Sequence, residues 1–385
     1  MKRWARHLLA ASLLLSVAPA RAGDAVGPVG AGYQPQDKDE RGLWMQMDEA
    51  ERDVKTSEFV IRDPALNAYV RGVFCRTVGQ EACKDTRLYI MRTPYFNATM
   101  APNGMMQVWS GALLRVRDEA QLAAILGHEY THYQNKHSVK NFRNLKQNTA
   151  AASLFLIVPF GGLASLAILA SYYGYSQDQE READSGGVAL MAKAGYDPAA
   201  AAQIWEQERQ EREATASARD TKPRYSKGGL YSDHPSSLER MNALRDQAAK
   251  LNVPGAVRNE AAYRAALSPW WPQFVDDQIK LNDFGGTDLL LGQLAAAGWT
   301  PNLLFARGEL YRTRGRPDDL TQAAAYYRQA IAAPDAPVEA YRGLGLALLR
   351  GGDKALGRAA LGAYLQKKPD APDKAMMAML AGGPS

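Results

Sequence analysis

Residues 148–177 contain no charged side chain, yet they lie between two strongly charged segments. Two apolar runs, Leu154 to Val158 and Leu163 to Leu169, are separated by Pro159, Gly161 and Gly162. Proline removes a backbone donor and glycine weakens a helix, so the stretch divides into two short pieces. Each piece alone is too short to cross a bilayer, which takes about 20 apolar residues in one helix. Residues 150–176 are therefore expected to form an apolar hairpin, buried or in peripheral contact with a membrane. A kinked transmembrane helix is the competing reading.

On the amino-terminal side of this stretch, Asp118 to Gln147 reads as one long helix. Leu122, Ala123, Leu126, Tyr130 and Tyr133 supply its apolar face. It carries His128-Glu129-Tyr130-Thr131-His132. Residues four apart stand one above the other on a helix. Two imidazoles so placed can grip one Zn²⁺, and Glu129 can reach a water on the metal. Zinc lowers the pKa of that water, the carboxylate accepts its proton, and a peptide carbonyl can then be attacked. The expected cofactor is one zinc ion per chain, with Glu129 as general base. Such a site needs a third protein ligand and an open fourth position. On the far side of the uncharged stretch, Gln179-Glu180-Arg181-Glu182-Ala183-Asp184 opens another helical pattern. Glu180 and Asp184 share a face, so one can bind the metal while the other accepts a hydrogen bond from a ligand imidazole. Acidic residues are also favoured at a helix start by the dipole alone.

The pair of motifs, His-Glu-x-x-His at 128–132 and Glu-x-x-Ala-Asp at 180–184, resembles the gluzincin metallopeptidases typified by the CAAX prenyl protease and the heat-shock protease HtpX. The resemblance implies that Glu180 is the third zinc ligand and that Asp184 orients a ligand imidazole. It extends to Asp233-His234-Pro235-Ser236-Ser237-Leu238-Glu239-Arg240. There it implies that His234 approaches the metal, gating the site or stabilising the transition state, with Arg240 as a supporting residue. Many members carry Thr or Ser where this chain has Asp233. His137 also fits the family pattern; lying five residues past His132 and well round the helix, it is assigned a structural role. The resemblance is firm over residues 45–250 and loose beyond them. The arrangement as a whole resembles the periplasmic beta-barrel assembly-enhancing protease group. That implies unfolded or misassembled outer-membrane proteins as substrates and outer-membrane assembly machinery as a partner.

The rest of the chain fits an exported enzyme. Lys2, Arg3 and Arg6 precede an apolar run, Leu8 to Val17, and Ala20-Arg21-Ala22 offers a cleavage site; residues 1–22 read as a signal peptide and the destination as the periplasm. Without Lys2, Arg3, Arg6 and Arg21 the formal charge of +5 falls to +1, which removes support for nucleic-acid binding. Cys75 and Cys83 are the two cysteines, and in an oxidising compartment they are expected to close one short disulfide loop. Residues 23–42, rich in Gly, Pro and charge, read as a flexible leader. Leu43 to Val73 carries helical spacing. Two strand-like runs follow, Leu88 to Met91 and Met105 to Trp109, with an Asn103-Gly104 turn before the second; a small antiparallel sheet is expected. Met105, Gln107 and Trp109 are candidates for pairing with an extended substrate backbone.

After about Pro254 the pattern becomes one of short helices. Gly308 and Gly345, Gly315 and Gly352, Ala323 and Ala360, and Tyr327 and Tyr364 recur at an offset of 37, close to the tetratricopeptide period. The expected fold is mainly α (α+β). A zincin-like helical metallopeptidase domain with a small sheet occupies 43–253, and a tetratricopeptide-like helical repeat domain occupies 254–385. Two competing functions remain: a periplasmic chaperone or assembly scaffold with a latent zinc site closed by His234, and an integral membrane peptidase anchored by residues 150–176.

Overall fold

The computed structural model describes residues 29–30, 32–148, 174–223 and 238–382. The expected signal peptide, nearly all of the apolar segment 150–176, and His234 lie outside the described residues. Among the described residues no helix is long and apolar enough to cross a membrane.

Helix α1 (Lys38–Thr56) starts where the Asp37 carboxylate accepts from the amides of Asp39 and Glu40. The flexible-leader reading is thus corrected from Val29 onward: Val29 is buried, its amide donates to the Gln134 carbonyl at 2.9 Å, and Glu40 is buried on α1. The helical spacing over 43–73 belongs to two helices. The chain turns through β1 (Val60–Ile61) into α2 (Pro64–Val78), capped by Asp63 with Pro64 in its first turn. Helix α3 (Gln80–Lys84) follows, tied back by the Cys75–Cys83 disulfide, as the cysteine pair predicts.

Strands β2 (Arg87–Met91), β3 (Ala98–Met100) and β4 (Met105–Trp109) complete a four-stranded sheet in the order β1-β2-β4-β3. The expected all-antiparallel pairing is corrected, because β2 and β4 run parallel, with Tyr89 opposite Gln107. The Asn103-Gly104 turn does join two antiparallel strands, with Gly104 at φ 85. Its first strand, however, is the three-residue β3, which pairs Thr99 with Gln107. So short a strand leaves almost no alternation to read.

After α4 (Ser110–Arg115) comes α5 (Glu119–Gln134), buried at every position from Glu119 to His132. A helix with no solvent face sits at the centre of its domain. The single helix expected over 118–147 is two. Lys136 adopts φ 53, ending α5, and α6 (His137–Asn148) sets off from that turn. Helices α7 (Gln177–Lys193), α8 (Ala200–Ala218) and α9 (Leu238–Lys250) close around α5. The α5–α7 contact is tight because both helices carry glycine there. A Cβ on Gly187 would lie 2.8 Å from the His128 amide nitrogen, and one on Gly186 would lie 2.5 Å from the Thr131 side chain.

The carboxyl-terminal part is helical throughout: α10 (Glu260–Leu267), α11 (Trp271–Ile279), α12 (Phe284–Leu294), α13 (Pro301–Arg314), α14 (Pro317–Ile331), α15 (Glu339–Arg350), α16 (Lys354–Lys367) and α17 (Lys374–Leu380). The recurring residues occupy matching places. Gly308 on α13 lies against Tyr327 of α14, and Gly345 on α15 lies against Leu361 of α16. Gly315 and Gly352, at φ 65 and 94, end the first helix of each pair. The tail is docked on the rest by Arg92 to Asp277 at 2.6 and 2.8 Å, Arg115 to Gln278 at 3.1 Å and the Tyr263 hydroxyl to the Leu113 carbonyl at 2.6 Å.

The α5–α7 seam yields a test. Alanine is the better helix former by about 1 kcal/mol, but overpacking a close contact costs about 1–3 kcal/mol. Gly187→Ala is therefore expected to destabilise the chain by up to about 2 kcal/mol in thermal unfolding. A stabilising result would show that the two helices are not held this close.

Candidate metal centre

Helix α5 presents His128 and His132 one turn apart, with their Nε2 atoms 3.0 Å from each other. Helix α7 brings Glu180 opposite, its two carboxylate oxygens each 3.7 Å from one of those nitrogens. All three residues are buried and their ligand atoms lie within 4.8 Å of one another. Tetrahedral coordination with arms of about 2.0–2.1 Å separates ligand atoms by about 3.3 Å. The three side chains thus frame a space that fits a transition-metal ion with little adjustment, and two imidazoles with a carboxylate suit such an ion.

Polar contacts on the outer side of each ring favour one placement of the protons. Nδ1 of His128 lies 3.0 Å from Asp184 Oδ1, an acceptor, so Nδ1 carries the hydrogen and Nε2 carries the lone pair. Asp184 in turn takes both arms of Arg240 at 2.7 Å, and a third guanidinium nitrogen of Arg240 lies 2.8 Å from Glu180. Burial alone raises the Asp184 carboxyl, but Arg240 and His128 outweigh it and hold it at about 2. Nδ1 of His132 lies 2.8 Å from His137 Nδ1, and His137 Nε2 lies 3.0 Å from Glu182 Oε2. Burial lowers the His137 pKa against the pull of Glu182. A neutral His137 donating to Glu182 must accept at Nδ1, so His132 donates there and keeps its Nε2 lone pair. Both ligand rings therefore turn acceptors toward the same point, an arrangement that a cation completes.

Other side chains fix the rings by packing. Tyr175 stacks on His132 with centroids 3.7 Å apart and planes 18° from parallel. Trp205 of α8 meets His128 edge-on at 6.1 Å and carries the Arg240 guanidinium on its face at 4.6 Å. Beside these residues a cleft is lined by Glu129, Ala124, Ile125, Val188, Ile204 and Trp205, with Asn97 and Ala98 at the start of β3.

The structure thus brings His128, Glu129, His132, Glu180, Asp184 and Arg240 together. His234 lies outside the described residues. Met105, Gln107 and Trp109 are buried on β4, whose two edges are already paired with β2 and β3. Their role in adding a substrate strand is corrected, since no backbone edge of β4 remains to be paired. The strand at the sheet edge by the cleft is β3. His137 does more than a structural residue on the far side of a helix. The turn at Lys136 swings it onto His132, which helical spacing could not reveal. Trp205 carried no local signal at all.

A buried pair of helical histidines, a glutamate from a second helix and a further carboxylate lining the adjoining cleft are the kinds of group a metallopeptidase uses. The model of Peptidase family M48 matches residues 61–248. It is 31% identical over 190 residues to the mitochondrial metalloendopeptidase OMA1 of Schizosaccharomyces pombe, covering 46% of this chain and 52% of that one. It is 29% identical over 210 residues to the beta-barrel assembly-enhancing protease of Escherichia coli O157:H7, covering 50% and 43%. Against the human mitochondrial metalloendopeptidase OMA1 it is 33% identical over 133 residues, covering 31% and 25%. The chain spans about half or less of the length of the curated relatives it matches.

The depressed Asp184 carboxyl has a pH signature. Its folded pKa of about 2 lies below the ordinary 3.8, so the stability it lends is whole above about pH 4 and is lost as pH falls toward 2. Urea unfolding of the metal-free chain between pH 5 and 2 is expected to lose on the order of 2 kcal/mol through this group. Asp184→Asn should flatten that part of the profile; an unchanged profile would remove Asp184 as its source.

Proposed function

We propose that the chain is a zinc-dependent endopeptidase of the cell envelope, acting on misfolded or misassembled proteins. The observation that supports this most directly is the convergence of His128, His132 and Glu180 next to Glu129 in an open cleft. His128, His132 and Glu180 would hold the zinc, one ion per chain. When bound, zinc would acidify a coordinated water and polarise the scissile carbonyl. Glu129 would accept the proton as general base and return it to the leaving amine. Arg240 and Asp184 keep His128 aligned, and the His137–Glu182 chain does the same for His132. An extended substrate would pair with the β3 edge, Ala98–Met100, which borders the cleft, and its side chain would enter the apolar lining.

The envelope location rests on the signal-like amino terminus and on the relative named beta-barrel assembly-enhancing protease. Misassembled outer-membrane proteins as clients are inferred from the same name. The tetratricopeptide-like helices beyond Pro254 would offer a docking surface to such clients or to assembly machinery, and His234 would approach the zinc from its own segment.

Glu129→Gln is the test. The variant should bind zinc as the unaltered chain does and lose casein cleavage by about 10²–10⁴-fold, the usual worth of a general base. Cleavage at full rate by this variant would refute the mechanism. Absence of zinc from the purified unaltered chain would refute the metal assignment.

A further inference from the structure

Lys136 combines three features that rarely meet. It lies between His132 and His137, it takes φ 53, and its ammonium is buried with a side-chain exposure of 4%. A non-glycine residue with positive φ is uncommon, and a buried ammonium needs a partner. The ammonium's partners come from one source, the segment preceding and beginning α1. Nζ of Lys136 donates to Glu40 Oε1 at 3.1 Å and to the Tyr33 hydroxyl, and lies 4.1 Å from the Tyr33 ring centre. Glu40 is itself 2% exposed at the side chain. It also accepts from the Tyr33 hydroxyl and from the Gln36 amide at 2.9 Å, while Arg143 of α6 reaches Asp37 and Glu40. The Val29 amide closes onto the Gln134 carbonyl on the same turn. This network lies beneath the ligand ring: Tyr33, Glu40, Lys136 and His132 line one small cavity.

We propose that the Glu40–Lys136 ion pair, supplied by the amino-terminal segment, positions the second metal ligand by locking the α5–α6 turn. The turn decides where α6 begins, and His137 is the first residue of α6. Only with the turn so folded does His137 Nδ1 meet His132 Nδ1 at 2.8 Å and aim the opposite nitrogen at the metal. The inference rests on His132 being a ligand. Glu40 and Lys136 touch neither substrate nor metal, so they act through His137 and His132. Their replacement should therefore change metal affinity before it changes anything at Glu129.

The test is zinc affinity of the full chain, measured by competition with a chromophoric chelator, with thermal unfolding of the metal-free chain in parallel. Glu40→Gln, Lys136→Gly and the double variant are compared with the unaltered chain and with His137→Ala. Glycine tolerates the positive φ and lacks the ammonium, and the double variant leaves no charge buried without its partner. Each variant is expected to weaken zinc binding by about tenfold or more, as outer partners of metal ligands commonly do. The double variant should lose no more than the larger single loss, because the two residues act as one unit. Lys136→Ala, which strains the same backbone, should bind zinc more weakly than Lys136→Gly. A double variant that unfolds cooperatively and binds zinc within about twofold of the unaltered chain overturns the proposal while leaving the metal site standing. No zinc binding by the unaltered chain overturns both.

Discussion

Everything at the metal centre depends on how closely α5 and α7 approach. Glycine at 186 and 187 lets the α7 backbone come against His128 and Thr131, where any side chain would collide. Two adjacent glycines in a helix interior cost conformational stability. They are tolerated because the contact sets the reach from Glu180 to the histidine pair at 3.7 Å and from Asp184 to His128 at 3.0 Å. A carboxylate has a short stem, and an ångström of extra separation would take it out of range of the same ion.

The second constraint is charge. Glu129, Glu180 and Asp184 are all buried within one site, and such a concentration of carboxylates is tolerated only with compensation. A single buried guanidinium, Arg240, forks onto Asp184 and reaches Glu180. A planar fork suits this bidentate role in a way an ammonium does not. Trp205 shelters the guanidinium and borders the cleft, so one aromatic ring serves the ion pair, a ligand ring and the lining. On the other side, His132 is held by a longer path through His137 to the exposed Glu182. His128 and His132 are thus held by different means, one against a buried salt bridge and one by a chain of contacts through His137.

The carboxyl-terminal helices are not a loosely tethered tail. One continuous apolar cluster runs from Ile61 beside the sheet to Ala347 in the last helix pairs. The junction also buries Arg115 against Gln278 and pairs Arg92 with Asp277. Through these contacts the docked helices flank α4 and α8, and α8 lines the cleft.

The pairing of residues within each helix could be read from the sequence because its geometry is local, whereas Glu180 as the partner of the histidine pair was implied only by the family resemblance. Residues four apart on a helix face one way, so His128 with His132, and Glu180 with Asp184, were paired before any fold was known. The glycine and tyrosine recurrence at 37 residues likewise marked the two helix pairs, because each contact lies within a short stretch of chain. The break at Lys136, the parallel pairing of β2 with β4 and the ordered amino-terminal segment were not legible. Each involves a partner distant in sequence: Glu40 beside Lys136, and β3 on one edge of β4 with β2 on the other. Backbone patterns record which face of an element is apolar, not what will cover it. Only the tertiary structure decided that Glu40 would bury its charge beside His132, and that β3 rather than β4 would stand at the edge of the cleft.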